Sequence, residues 1–158
     1  MVLIHNLLLR SLNSIYLQAP HILPADVPAF CRYTLAWYNL VHLHHTGEET
    51  MFFPAVERMS GETGVMDAEK AQHAAFDLGV TKMKEFVEGV VAGTEKWDGK
   101  RLVGIIDDFG GVLKQHLSDE IQTLQGLRRF GGEKMAGIMK VAEEEAEASM
   151  VSCFFSNV

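Results

Sequence analysis

The chain has 158 residues, of which 47% are hydrophobic and 22% charged, a balance typical of one globular domain with a sizeable core. Its 14 basic and 21 acidic residues give a net charge of −7, which argues against a surface that neutralises nucleic-acid phosphates. The two cysteines, Cys31 and Cys153, are far apart and outside any CxxC spacing, which indicates reduced thiols rather than a disulfide scaffold.

The start of the chain, MVLIHNLLLRSL, is apolar but lacks the basic region and the small-residue cleavage site of a signal peptide. No other stretch approaches the roughly 20 apolar residues that a membrane span needs. We therefore expect a soluble, unprocessed cytoplasmic protein, with neither nucleic acid nor a membrane as its partner.

Helical periodicity begins almost at once. A first helix is predicted over residues 3–18, and the proline-bearing stretch 21–28 breaks the pattern. The periodicity resumes over 29–59, where Gly47 and Pro54 can each bend or end the second helix.

Two further long helices follow the glycines at 61 and 64. They are predicted over 67–91 and 100–130, with a short loop between them and two glycines closing the last. Four long helices joined by short links predict an all-α fold, an antiparallel up-and-down four-helix bundle over residues 1–132. A short C-terminal helix and tail are predicted over 133–158, packed on the bundle or trailing from it.

Histidine and glutamate four residues apart are the most informative pattern in the chain. They occur at His45/Glu49 and His116/Glu120, and residues at this spacing share one face of a helix. At about 100° per residue, the face around His45 is apolar and the face around His44 is mixed. We therefore predict that His45/Glu49 points inward and His44/Glu48 points outward.

The other two long helices contribute lone histidines, His5 and His73, and His73 is followed one turn later by Asp77. A buried ionised carboxylate costs several kcal/mol unless it is paired or bound to a cation, so inward Glu49 and Glu120 need a partner, which neutral imidazoles and a cation would supply. Imidazoles with carboxylates suit iron, manganese or zinc better than calcium or magnesium, and bridging glutamates are the usual way a helical bundle holds two ions.

The string HHTGEETMFFP at 44–54, with an upstream histidine, a lone third-helix histidine and HLSDE at 116–120, resembles the hemerythrin-like HHE cation-binding domain family, particularly its fungal-type members. The resemblance implies a four-helix bundle with a non-haem di-iron centre. It implies His5, His45, His73 and His116 as terminal ligands and Glu49 and Glu120 as bridges.

The chain differs from the oxygen-carrying hemerythrins on the third helix. Those proteins have a second histidine where this chain has Asp77, so at most four histidine ligands are expected here. Asp77 is then a ligand, a hydrogen-bond acceptor behind a ligand or a solvated residue. An open coordination position favours activation of dioxygen over its reversible carriage.

Tyr16, Tyr38 and His42 are candidates for residues next to the metal site. The tyrosines lie on inward faces, where they could donate to bound dioxygen or shuttle an electron, although packing is the commoner role. A core histidine bonded to a backbone carbonyl is likewise the commoner role for His42.

These observations favour a di-iron oxidoreductase, with manganese or zinc as substitute metals, that binds dioxygen and activates it toward a small organic substrate. One alternative is a protein that senses or stores iron, oxygen or nitric oxide without turnover. Another is a helical module without metal, in which the His/Glu pairs form a hydrogen-bonded core.

Overall fold

The computed structural model describes residues 1–134, 136–138, 140–141 and 144. The regular structure within these residues is entirely helical. The α-helices are α1 (Val2–Gln18), α2 (Val27–Gly47), α3 (Phe53–Ser60), α4 (Asp67–Ala92) and α5 (Gly99–Gly126).

Four rods form the bundle, because α2 continues into α3 through one widened turn. Helix α1 packs against α2 and α5, α2 packs against α4, and α4 packs against α5, so each rod has two neighbours around a common interior. The predicted all-α bundle is confirmed. No described helix is both long and apolar enough to cross a membrane.

Two of the loops begin at glycines that end the preceding helix. Gly61 and Gly93 follow α3 and α4 in the left-handed conformation, with φ of 71° and 75°. Asp98 then starts α5, since its carboxylate accepts hydrogen bonds from the backbone N–H groups of Lys100 and Arg101. These local signals explain why the loops lie close to their predicted positions.

The widened turn is a π-helix over Glu48–Phe52. Pro54 accounts for its position, because proline has no N–H to bond the carbonyl four residues earlier and its ring crowds that carbonyl. A π turn inserts an extra residue into the helical repeat and is common at functional sites. The residues after the turn are therefore offset from the face that α2 presents to the interior.

Two apolar clusters fill the interior. The larger lies along the bundle and includes Leu8, Trp37, Phe76 and Leu113. The smaller cluster begins at the end of the π turn, and its buried members are Phe52, Phe53, Val56, Met66, Leu124 and Leu127. The inward side chains between these clusters are polar, which places the candidate site toward one end of the bundle.

Close contact between α4 and α5 brings their polar side chains together. A Cβ atom built on Gly79 would lie 2.5 Å from the Cβ of Phe109, so only glycine permits this approach. The described residues within 132–144 are helical, and Ile138 packs against the smaller cluster. The remainder of the predicted C-terminal helix and tail lies outside the described residues.

Candidate metal centre

Seven polar side chains from all four rods meet between the two apolar clusters. Within the described residues they form two groups whose potential ligand atoms lie within 4.8 Å of one another. One group is His45, Glu48, His73 and His116; the other is His5, His44, Glu48 and Glu120. Each group offers both imidazole and carboxylate donors, and Glu48 belongs to both.

Glu48 has the geometry of a bridge. Its Oε1 lies 3.2 Å from Nε2 of His44, and its Oε2 lies 3.5 Å from Nε2 of His73. Only 3% of the residue is exposed, and neither oxygen has a hydrogen-bond partner in the described part of the chain. One carboxylate oxygen therefore faces each group of ligands.

Hydrogen bonds orient three of the five imidazoles. The Nδ1 acceptors are the Leu117 carbonyl for His5 at 2.8 Å, the Gln72 side-chain carbonyl for His116 at 3.0 Å, and the Glu49 carboxylate for His73 at 2.7 Å. Because each of these Nδ1 atoms carries the donated proton, the Nε2 atom of a neutral ring is left with a lone pair. This arrangement is typical of metal-binding histidines.

The Nε2 atoms then face one another without a proton to share. Nε2 of His73 lies 3.1 Å from Nε2 of His116, and both rings already donate through Nδ1. The buried Nε2 of His45 has no hydrogen-bond partner among the described residues. Two ligands at right angles, each about 2.1 Å from an ion, are about 3 Å apart, so a cation between them fits this spacing.

Burial favours the neutral form of three of the imidazoles, those of His44, His45 and His116. Burial, with repulsion from His5, lowers the pKa of His44 to about 3. Burial and His73 similarly lower the pKa of His116 to about 4, and the pKa of His45 is also lowered by burial and by neighbouring rings. At neutral pH these nitrogens are therefore available as donors to a metal.

The two buried carboxylates influence each other. Burial, together with repulsion from Glu120, raises the pKa of Glu48 well above its usual range. Burial also raises the pKa of Glu120, but the adjacent His5, whose Nε2 lies 3.1 Å from Oε2, outweighs it and the net shift is downward. A cation between the groups would relieve both the repulsion and the desolvation.

The predicted inward position of His45 is confirmed, but the predicted facing of His44, Glu48 and Glu49 is wrong. His44 and Glu48 point inward, whereas the Glu49 side chain is 45% exposed and reaches only Nδ1 of His73. The inward face of α2 carries buried residues at alternating steps of four and three, namely Phe30, Thr34, Trp37 and Val41. The same spacing continues to His44 and Glu48. This pattern in the sequence indicates that both residues face inward.

Asp77 is exposed and belongs to neither group, so the expectation of a ligand at this position is not supported. Five imidazoles lie in the two groups of potential ligands, one more than the four histidine ligands that the sequence predicted at most. The additional ring is His44, which joins the group that contains His5, Glu48 and Glu120. Of the predicted residues, the structure brings together His5, His45, His73, His116 and Glu120.

The described contacts of the candidate neighbours Tyr16, Tyr38 and His42 include residues outside the two groups of potential ligands. Tyr16 contacts Asp107, whose hydrogen bond and charge raise the pKa of the phenol. His42 is exposed and stacks on Tyr38, with ring centres 5.8 Å apart. None of the three predicted neighbours belongs to either group of potential ligands.

Two phenylalanine rings lie beside the potential ligands. The Phe76 ring lies 5.0 Å from the His45 ring and 5.4 Å from the His116 ring, measured between centroids, and Phe53 stacks on His73 at 5.7 Å. Both phenylalanines are buried. They exclude water from one side of the site and strengthen the electrostatic interactions within it.

Comparison with known proteins agrees with this geometry. The sequence matches the hemerythrin HHE cation binding domain family over residues 1–127. It is 30% identical over 145 residues to the "Dimeric xanthone biosynthesis cluster protein R11" of Cryptosporiopsis sp. (strain 8999). That alignment covers 91% of this chain but 55% of the relative, so the chain spans about half of the relative's length.

No solved structure gives a significant match. The family match nevertheless covers α1, α2, α3, α4 and α5, and thus every residue of the two ligand groups. The chain belongs to the hemerythrin HHE cation-binding domain family.

Proposed function

We propose that the protein binds two iron ions and uses them to bind and activate dioxygen for oxidation of a small organic substrate. The carrying observation is the 3.1 Å approach of Nε2 of His73 to Nε2 of His116, with both Nδ1 atoms already serving as donors. Facing lone pairs in a buried site favour a cation between them. Manganese or zinc are substitutes that the same donors accept.

In this proposal the three-imidazole group holds one ion and the two-imidazole group holds the other. Glu48 spans both, and Glu120 belongs to the group of His5 and His44. When bound there, two ferrous ions would supply the two electrons needed for a two-electron reduction of dioxygen. The residues of the chain would hold both ions, direct the Nε2 lone pairs of His5, His73 and His116 toward them through the Nδ1 hydrogen bonds, and exclude water through Phe76.

The relative's printed name supports a small organic substrate. That protein belongs by name to a cluster for dimeric xanthone biosynthesis, and this chain aligns with 55% of it. The free thiol of Cys31 agrees with the proposed cytoplasmic location. Dioxygen and an organic molecule are accordingly the proposed partners.

A specific observation also favours the alternative of binding or sensing without turnover. The fifth imidazole, His44, increases the number of nitrogen donors and leaves fewer open coordination positions than the sequence predicted. Such a protein would bind iron, oxygen or nitric oxide reversibly. The two proposals share the metal centre and differ in the fate of the bound oxygen.

Metal analysis after expression with ample iron tests the metal centre that both proposals share, and we expect about two iron ions per chain. Fewer than about one transition-metal ion would overturn it. Mixing the ferrous protein with oxygen then separates the two proposals. Irreversible oxygen consumption with conversion of an added organic substrate supports activation, whereas full recovery of oxygen under vacuum supports reversible binding.

A further inference from the structure

Glu49 is a carboxylate that belongs to neither group of potential ligands but contacts a member of one of them. It follows Glu48 directly, and its Oε1 lies 2.7 Å from Nδ1 of His73. Its side chain is 45% exposed, so water supports its charged form. Glu49 therefore combines a solvated negative charge with a short hydrogen bond to a buried ring.

The three Nδ1 acceptors differ in charge. His5 donates to the backbone carbonyl of Leu117, and His116 donates to the neutral amide of Gln72. Of the three acceptors, Glu49 alone is a carboxylate. A carboxylate on Nδ1 draws the proton away from the ring and makes Nε2 a stronger donor than a neutral acceptor does.

We propose that Glu49 is a positioning residue that strengthens His73 as a ligand, so that the ion in the His45/His73/His116 group binds more tightly and favours its higher oxidation state. This inference rests on the proposed metal binding. Its physical basis is a single negative charge transmitted through one imidazole to one of the two ions.

The chain provides a way to move that charge without moving the ion. Gln72 accepts from Nδ1 of His116, and His116 belongs to the same group as His73. Glu49→Gln removes the charge and keeps an oxygen acceptor of the same size. Gln72→Glu adds a charge of the same kind on the neighbouring ring, so the double variant restores the total charge beside that ion.

The experiment has two readouts, Co²⁺ affinity of the metal-free protein by chelator competition and the reduction potential of the iron-loaded protein. For Glu49→Gln we expect Co²⁺ affinity to fall about tenfold or more at one of the two equivalents, with a higher potential. Gln72→Glu should lower the potential. The double variant should return both quantities toward wild type.

Glu88→Gln is the matched control. Glu88 is a half-exposed carboxylate on α4 that pairs with Lys84 at 3.3 Å and belongs to neither ligand group. The Glu88→Gln variant should leave the Co²⁺ affinity and the reduction potential unchanged. A Glu49→Gln protein with wild-type affinity and potential overturns the inference while leaving the metal centre intact. Failure of the double variant to recover also overturns it, because a purely structural role would not respond to relocated charge.

Failure of the proposed function has a different signature. If the wild-type protein binds neither Co²⁺ nor iron, the metal centre itself is refuted, and the inference falls with it. If the wild type binds two ions and Glu49→Gln matches it in both readouts, the inference alone is refuted.

Discussion

Nε2 of His44 lies 3.2 Å from Oε1 of Glu48, at the point where α2 passes into the π turn. The other oxygen of Glu48 faces His73 across the interior. The pair that the helical pattern alone placed outward thus joins the second rod to both groups of potential ligands.

His44→Ala distinguishes the structure from the sequence-based facing. We expect the variant to lose about one of two bound metal ions, because its group would retain only His5 among the imidazoles. His42→Ala, which removes an exposed ring two residues away, should retain both ions. Elemental analysis of the two purified proteins gives the answer, and equal iron content in both would contradict the assigned role of His44.

Glu48→Gln tests the bridge. Both groups lose a charged donor, so we expect less than about one metal ion per chain. The metal-free variant should be at least as stable as the metal-free wild type, because an amide avoids the cost of burying a charge. Free metal at 100 times its Kd should add about 2.7 kcal/mol to wild-type stability and much less to the variant.

Thermal unfolding with and without a chelator measures both effects in the Glu48→Gln protein. A variant that keeps two ions and the full metal-dependent stabilisation would show that Glu48 is not shared between them. A large loss of stability in the metal-free form would show that its carboxylate has another structural role.

The fold could be predicted because its signals are local. Apolar residues at helical spacing identified the rods, and Gly61 and Gly93 marked their ends. A single helical period could not predict which side of the whole second rod faces inward. Phe52 lies in the π turn and Val56 lies beyond it, so both are out of register with α2. Including them moved the apparent inward face toward His45 and Glu49.

The roles of Gln72 and Glu49 depend on tertiary contacts. Their neighbours along the chain do not reveal that one reaches Nδ1 of His116 and the other Nδ1 of His73. Each contact joins different rods, whose separation is set by packing at positions such as Gly79. Sequence periodicity identifies a face of a helix, but it does not identify the residue opposite.

The metal-free protein should lose stability as the pH falls below about 6.5. The pKa of His116 is lowered to about 4 in the folded protein and that of His44 to about 3, whereas unfolded histidine titrates near 6.5. The unfolded chain therefore binds more protons between these values, and each ring contributes a loss of about 1 kcal/mol per pH unit. The raised pKa of Glu48 has the opposite effect, because the folded protein loses stability as the pH rises and this carboxyl group ionises.

Urea unfolding of chelator-treated protein at pH values from 7 to 4 measures this dependence. His116→Gln should reduce the slope, because one depressed pKa is removed, whereas His42→Gln, at an exposed ring, should leave it unchanged. A wild-type stability that is flat or rises as the pH falls would contradict the proposed burial of neutral imidazoles.

Gly79→Ala should widen the contact between α4 and α5. The added Cβ would lie 2.5 Å from the Cβ of Phe109, a distance that forces the helices to shift, and overpacking of this kind costs about 1–3 kcal/mol. Alanine gains about 1 kcal/mol in helix propensity, so the net change should be destabilising. Because His73 and His116 lie on the same two helices, the shift should also weaken metal binding.

Gly104→Ala on α5 is the control, since a Cβ there meets no atom within 4 Å among the described residues. It should stabilise the protein by up to about 1 kcal/mol through helix propensity alone and leave metal content unchanged. Denaturant unfolding and metal analysis of both variants separate propensity from packing. If Gly79→Ala gained as much stability as Gly104→Ala, the close approach of α4 to α5 would not be what holds the two imidazoles together.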